Sequence, residues 1–240
     1  MKHWIASVLI GFAGSAATAG EMTLAVASNF LTTAEVLVDA FEAETGHDVT
    51  LTHGATGGLY AQIDLGAPFD VFLAADLDRP QRLRESGKAV ETRTYALGRL
   101  VLAARLPVTV ETVPEALTGK TVALADPTVA PYGKAATRAM ERLKLDTATF
   151  RPVLVANVGQ VASVFATGNA DAAFVAASQL PRLDAPHVLP LDGLLEDVQQ
   201  GAALLARGAD NEAAGAFWDW LDSDAARGLI EAAGYGLPPR

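Results

Sequence analysis

Three short runs, built almost wholly from small uncharged residues, carry the chemistry this chain offers. They are Ala27-Ser28-Asn29-Phe30, Gly54-Ala55-Thr56-Gly57-Gly58 and Asp126-Pro127-Thr128-Val129-Ala130-Pro131-Tyr132-Gly133. Each stands where an apolar, strand-like run gives way to a helical pattern. The first turn of a helix holds backbone N–H groups without an intrahelical partner, at the positive end of the helix dipole. Joined to a short hydroxyl or amide, such turns hold a fully ionised oxyanion with neutral donors and no lysine or arginine. A fourth run, Asn157-Val158-Gly159-Gln160, also follows a strand, and Val158 offers only its N–H there.

Each run also has a plainer reading. Ser28 and Asn29 suit a helix cap with no ligand at all. The paired glycines suit a β-hairpin, except that Leu59 to Leu65 does not read as a returning strand. Converging amides with Thr56 Oγ as a further donor fit better. The Lys-Ser/Thr of a nucleotide-binding loop is missing. Tyr132 stands just inside a helix opened by Pro131, where its hydroxyl either enters a cleft or its ring packs on a sheet edge.

No catalytic set competes with these turns. His47, His53 and His187 lack metal-ligand spacing, there is no cysteine, Gly-x-Ser-x-Gly is absent, and Ser28 has no base beside it. No metal or cofactor is expected. His53 reads as a loop histidine near the glycine turn. Asp70, Asp76 and Asp78 read as the end and flank of a buried strand with a cap for the next helix, since carboxylates at the site would repel an anion.

Residues 1–19 read as a secretory signal: Lys2, an apolar run from Trp4 to Ala13, and the small-residue cleavage site Ala17-Thr18-Ala19. The expected location is the periplasm. With 18 basic against 28 acidic residues the formal charge is −10, which argues against nucleic acid or anionic membrane surfaces as partners. Zero cysteines leave the exported chain to its core alone.

The remaining residues alternate strand and helix, the pattern of parallel sheets covered by helices. Strands are expected at 22–27, 48–52, 70–74, 100–104, 121–125, 153–156, 171–177, 188–190 and 202–206. Helices are expected at 31–45, 59–65, 78–86, 113–117, 131–143, 159–167, 211–221 and 224–233, with 181–190 mostly loop. The fold class is α/β with two lobes: 20–96 plus 203–240 form lobe one, 97–202 form lobe two, and each is a mixed, mostly parallel sheet. Ligands sit outside the C-terminal ends of parallel strands, which places the three junctions in the cleft between lobes.

The segments AVASNF (25–30), FEAETGHDV (41–49), GATGGLYAQI (54–63), GAPFDVFLAAD (66–76), ADPTVAPYGKAA (125–136) and FVAASQL (174–180) resemble the periplasmic molybdate-binding proteins of ABC importers, over essentially the whole mature length. The resemblance implies a two-lobed periplasmic binding-protein fold of type II. It implies molybdate or tungstate as ligand, an inner-membrane permease with its ATPase as partner, and a monomer with no stable membrane insertion. Residue by residue it implies Ser28, Asn29, Thr56, Tyr132 and Val158 as oxyanion ligands, with Ala55, Gly57 and Pro131 as additional candidates. A second group in the family carries a ligand tyrosine in the segment matching 174–177. This chain has Ala176 there, and Tyr132 is expected to compensate. Rival readings are a binder of sulfate, thiosulfate or phosphate, a secreted α/β hydrolase, and an interaction protein with no small ligand.

Overall fold

The computed structural model describes residues 19–240, so the export-signal reading of 1–19 lies, Ala19 apart, outside the described residues. The first half of the chain contains β1 (Glu21–Ala27), α1 (Leu31–Thr45), β2 (Asp48–Gly54), α2 (Thr56–Asp64), β3 (Val71–Leu73), α3 (Asp78–Glu85), β4 (Ala89–Gly98) and β5 (Leu100–Ala104). Next come α4 (Val113–Ala116), β6 (Thr121–Ala125), α5 (Pro131–Arg142), β7 (Arg151–Val155), α6 (Val158–Ala166) and β8 (Ala172–Ala176). The chain closes with β9 (His187–Pro190), β10 (Val198–Leu205), α7 (Glu212–Trp220) and α8 (Asp224–Ala232). Ala177–Arg182 and Ala206–Asp210 are 3-10 turns.

Two five-stranded sheets result, ordered β2-β1-β3-β10-β4 and β7-β6-β8-β5-β9. They share one plan. In the first, β1 runs parallel to β2 and β3, while β10 runs antiparallel to both β3 and β4. In the second, β6 runs parallel to β7 and β8, while β5 runs antiparallel to both β8 and β9. The chain passes from the first sheet to the second at Arg99 and returns between β9 and β10.

The apolar runs are continuous because both faces of each sheet are covered. Along β1 and β3, Leu24, Val26, Val71 and Leu73 face one core cluster, while Ala25 and Phe72 face another. Helix α1 buries Thr33, Ala34, Leu37, Val38 and Phe41, the stripe expected of a helix lying on a sheet. Phe41 meets Phe217 edge to face at 5.2 Å, which fixes α7 against α1.

Some elements depart from the sequence reading. β4, with buried ends and a polar middle, had no counterpart there, because Glu91 to Thr94 hide the alternation. β10 begins at Val198, before the bulge at Gln200/Gly201 that broke its pattern. Helix α2 begins at Thr56, so Gly57 and Gly58 are its first turn and not a loop ahead of it. The stretch expected to be loop after residue 181 keeps that character only between Leu183 and the start of β9.

Candidate functional site

The parallel strands of both sheets end facing one another, and a small cavity lies between them. Its volume is only about 10 Å³, and its lining is Ala27, Ser28, Asn29, Ala55, Thr56, Ala75, Ala130, Pro131, Tyr132, Asn157 and Val158. The lining contains no Lys, Arg, His, Asp or Glu. Of the eight ligand candidates, seven line this cavity, and Gly57 does not.

Two hydroxyls face this space, each already accepting one amide N–H. Ser28 Oγ, on the first sheet's side, accepts the Gly159 N–H from the start of α6 at 3.3 Å. Thr56 Oγ1 accepts the Ala75 N–H at 3.2 Å, and Thr56 is almost wholly buried. A hydroxyl has one proton to give, and an oxygen already accepting from an amide presents that proton as its remaining strong function. The backbone N–H groups of Asn29, Thr56, Tyr132 and Val158 make no hydrogen bond among the described residues. Thr56 and Val158 are the first residues of α2 and α6, and Tyr132 is the second of α5, so these amides are helix-start donors. Asn157 caps α6 by accepting the Gln160 N–H at 3.0 Å.

Two side chains and two backbone groups stand otherwise than expected. The Tyr132 hydroxyl does not stand in the cleft as a donor: it lies against Gly98, where an added Cβ would come within 2.1 Å of it. It is buried without a hydrogen-bond partner, flanked by the Asn29 and Gln200 side chains, and burial holds its pKa well above the usual tyrosine value. The Asn29 amide is turned the same way. Its Nδ2 donates to Gln200 Oε1 at 2.9 Å and to Tyr235 Oη at 3.1 Å, so both amide protons are spent away from an anion, while its Oδ1 is buried without a partner. Gly57 gives its N–H to Val129 O of the facing lobe at 2.9 Å and has none left for an anion. Pro131 lines the wall but has no N–H to donate.

The residues that redirect these groups were not singled out from the sequence. Tyr235 Oη donates to Asn29 O at 2.8 Å and accepts from Ser178 Oγ at 2.9 Å, joining the C-terminal segment to both lobes. Burial pushes its pKa up to about 12, against hydrogen bonds from Ser178 and Asn29 that lower it. Gln200 is fully buried on β10 and also donates to Val198 O at 2.9 Å. The pair Gln199-Gln200 ahead of the apolar run Ala202 to Leu205 was the available signal, and Tyr235 had none. Ala176 is buried in the second lobe's core and takes no part in the cavity lining. His53 is exposed on β2, a strand and not a loop, and also stays outside the lining. Asp76, two residues ahead of α3, accepts the Arg79 N–H at 3.1 Å, while the cap position itself is Leu77.

Two α/β lobes joined by crossing strands, with a donor-lined cavity at facing strand ends, define a solute-binding protein of the two-lobed periplasmic class. The model of the family described as bacterial extracellular solute-binding protein matches residues 22–236. The molybdate-binding protein ModA of Azotobacter vinelandii is 40% identical over 247 residues, covering 99% of this chain and 98% of that relative. The molybdate-binding protein ModA of Rhodobacter capsulatus is 41% identical, covering 91% of this chain and 89% of that relative. The solved structure of the Azotobacter vinelandii periplasmic molybdate-binding protein superposes with a TM-score of 0.82 at 36% identity, covering 91% of this chain and all of that one. The chain therefore belongs to the bacterial extracellular solute-binding protein family, and within it to the ModA-like group. It is a periplasmic solute-binding protein and not an enzyme.

Proposed function

We propose that this protein captures molybdate or tungstate in the closed cavity and delivers it, as a monomer, to an inner-membrane ABC permease and its ATPase. The observation that carries this reading is the sign of the cavity's free polar groups. Ser28 and Thr56 have their oxygens occupied by amides, and the unpaired backbone groups of Asn29, Thr56, Tyr132 and Val158 are all N–H donors. A wall of donors suits a tetrahedral dianion with no proton of its own. An anion carrying an O–H would bring a second donor against that wall and leave it unpaired. The names of the two relatives, both at about 40% identity, support the choice of anion. The lobe division at 20–96 with 203–240 and 97–202 belongs to the same proposal, with closure about the two crossings.

Sulfate satisfies the charge but is smaller, and a cavity fitted to molybdate leaves some donors at long distance from it. Unmade hydrogen bonds to a buried dianion are costly. The test is a calorimetric titration of the mature chain with molybdate, tungstate, sulfate and phosphate. One site per chain is expected for the first two, with sulfate weaker by at least about two orders of magnitude, or about 3 kcal/mol. Equal affinity for sulfate or phosphate would sink the reading.

A further inference from the structure

On the side of the cleft away from the Ser28–Gly159 contact, the lobes meet through two consecutive carbonyls of the loop that precedes α5. Val129 O accepts the Gly57 N–H at 2.9 Å, and Thr128 O receives Arg79 Nη2 at 3.4 Å. Arg79 sits in the first turn of α3, is only 8% exposed, and is held by an ion pair with Asp76. The loop is stiffened from its own side, because Asp126 Oδ1 accepts both the Thr128 N–H at 2.8 Å and the Thr128 hydroxyl at 2.7 Å. The fit leaves no room at Gly57. A Cβ there would stand 2.9 Å from Val129 O and 3.0 Å from Arg79 Nη2.

We propose that Arg79, with the bare backbone of Gly57, is a latch that holds the second lobe's cavity wall against Thr56 and so sets how long the anion stays. The proposal rests on the oxyanion reading of the cavity. Thr56 adjoins Gly57 in α2, and Ala130, Pro131 and Tyr132 follow directly on the two latched carbonyls. Closing the latch therefore brings the two donor walls into register. The guanidinium is held by its ion pair with Asp76, so little freedom is lost when it engages. These carbonyls are free to leave in an open state, whereas the anion's contacts are enclosed. The latch consequently acts on the lifetime of the closed form more than on encounter. Gly57 thus serves the lobe contact, which explains a glycine in the first turn of α2 despite its poor helical propensity.

The test uses the absence of cysteine: Leu65 on the first lobe, 88% exposed, and Leu154 on the second, 57% exposed, can be replaced by cysteine and spin-labelled. Stopped-flow release of molybdate and the label-to-label distance are then measured for the parent, Arg79→Ala and Gly57→Ala. Release about tenfold faster in both variants, with association within about twofold of the parent, is expected. The ligand-free distances should shift toward wider separations. Gly57→Ala keeps Arg79 and its ion pair, so it breaks the latch by a separate route if Arg79→Ala folds poorly. Unchanged release and distance in a well-folded Arg79→Ala would overturn the latch. If the parent fails to bind molybdate, the reading of the cavity falls, and the ligand-free distances alone decide the latch.

Discussion

The cavity and the hinge, the polar cluster of Asn29, Gln200, Tyr235 and Ser178 that ties the lobes together, are both built from hydroxyls and amides, yet they use them in opposite ways. At the cavity, Ser28 and Thr56 have their oxygens occupied by amides and their protons free. At the hinge, Asn29, Gln200, Tyr235 and Ser178 spend their side-chain functions largely on one another. The same residue types thus serve two purposes, decided by whether partners from the crossing strands reach them first. Cavity substitutions should therefore change affinity with modest loss of stability. Hinge substitutions should change stability while the intrinsic affinity of the closed site stays put.

The hinge side should show the largest effect, through pH. Burial raises the pKa of Tyr95, Tyr132 and Tyr235, the last from 10.0 to about 12. A raised acid pKa means that the folded state prefers the neutral phenol. The resulting stability is fully present below about pH 10 and is lost as pH rises toward 12. For Tyr235 alone the two-unit rise corresponds to about 3 kcal/mol. Thermal midpoints should thus fall steeply above about pH 10, and Tyr235→Phe should show a shallower fall. Equal slopes in parent and variant would remove Tyr235 from the hinge account.

On the cavity side, Thr56→Ala should weaken molybdate binding by about 1.5–3 kcal/mol, the range for a hydrogen bond to a charged group. Ser28→Ala should fall in the same range and also loses the link to Gly159. Thr56→Ala leaves the Ala75 N–H unpaired, so about 1 kcal/mol of stability should go with it. Calorimetry on both variants, beside their melting curves, separates the two quantities. A loss of stability with unchanged affinity would move Thr56 from the cavity to the scaffold.

The smallest expected effect is at Tyr132. Its hydroxyl is buried without a partner, so Tyr132→Phe should leave affinity within about 0.5 kcal/mol of the parent and should not lower stability. It should also make room at Gly98. Gly98→Ala puts a methyl 2.1 Å from that oxygen and should destabilise by about 1–3 kcal/mol alone, and by less in the Phe background. A tenfold loss of affinity in Tyr132→Phe would return the hydroxyl to the cavity.

How much could be read from the sequence follows the same division. Ser28 and Thr56 stand where a strand end followed by a helix start, a short-range feature, pointed to them, whereas Val158 was marked by the family resemblance. α1, β5 and β6 were legible to their last residues for a similar reason. The directions of Tyr132 and Asn29 were not legible. Asn29 is met by Gln200 and Tyr235, which lie 171 and 206 residues further along the chain. Gly57 was misread because a glycine pair suggests a turn, and its actual reason, the backbone of Val129, belongs to the other lobe. β4 was missed because its middle is polar and its partner β10 is remote in the chain.

The threading of β10 has a consequence for how the protein comes together. All strands of the second sheet lie in one uninterrupted stretch between Leu100 and Pro190. The first sheet is split, since β3 and β4 are neighbours only through β10, which the chain does not reach until Val198. A chain emerging from its N-terminus thus has everything needed for its middle lobe before it can complete the lobe it began. The opening strands must wait, half paired, for a segment that arrives after the whole second sheet, and such long-range closure is intrinsically slow. The middle lobe thus has all its strands before the first lobe does, and the last segments complete the first sheet.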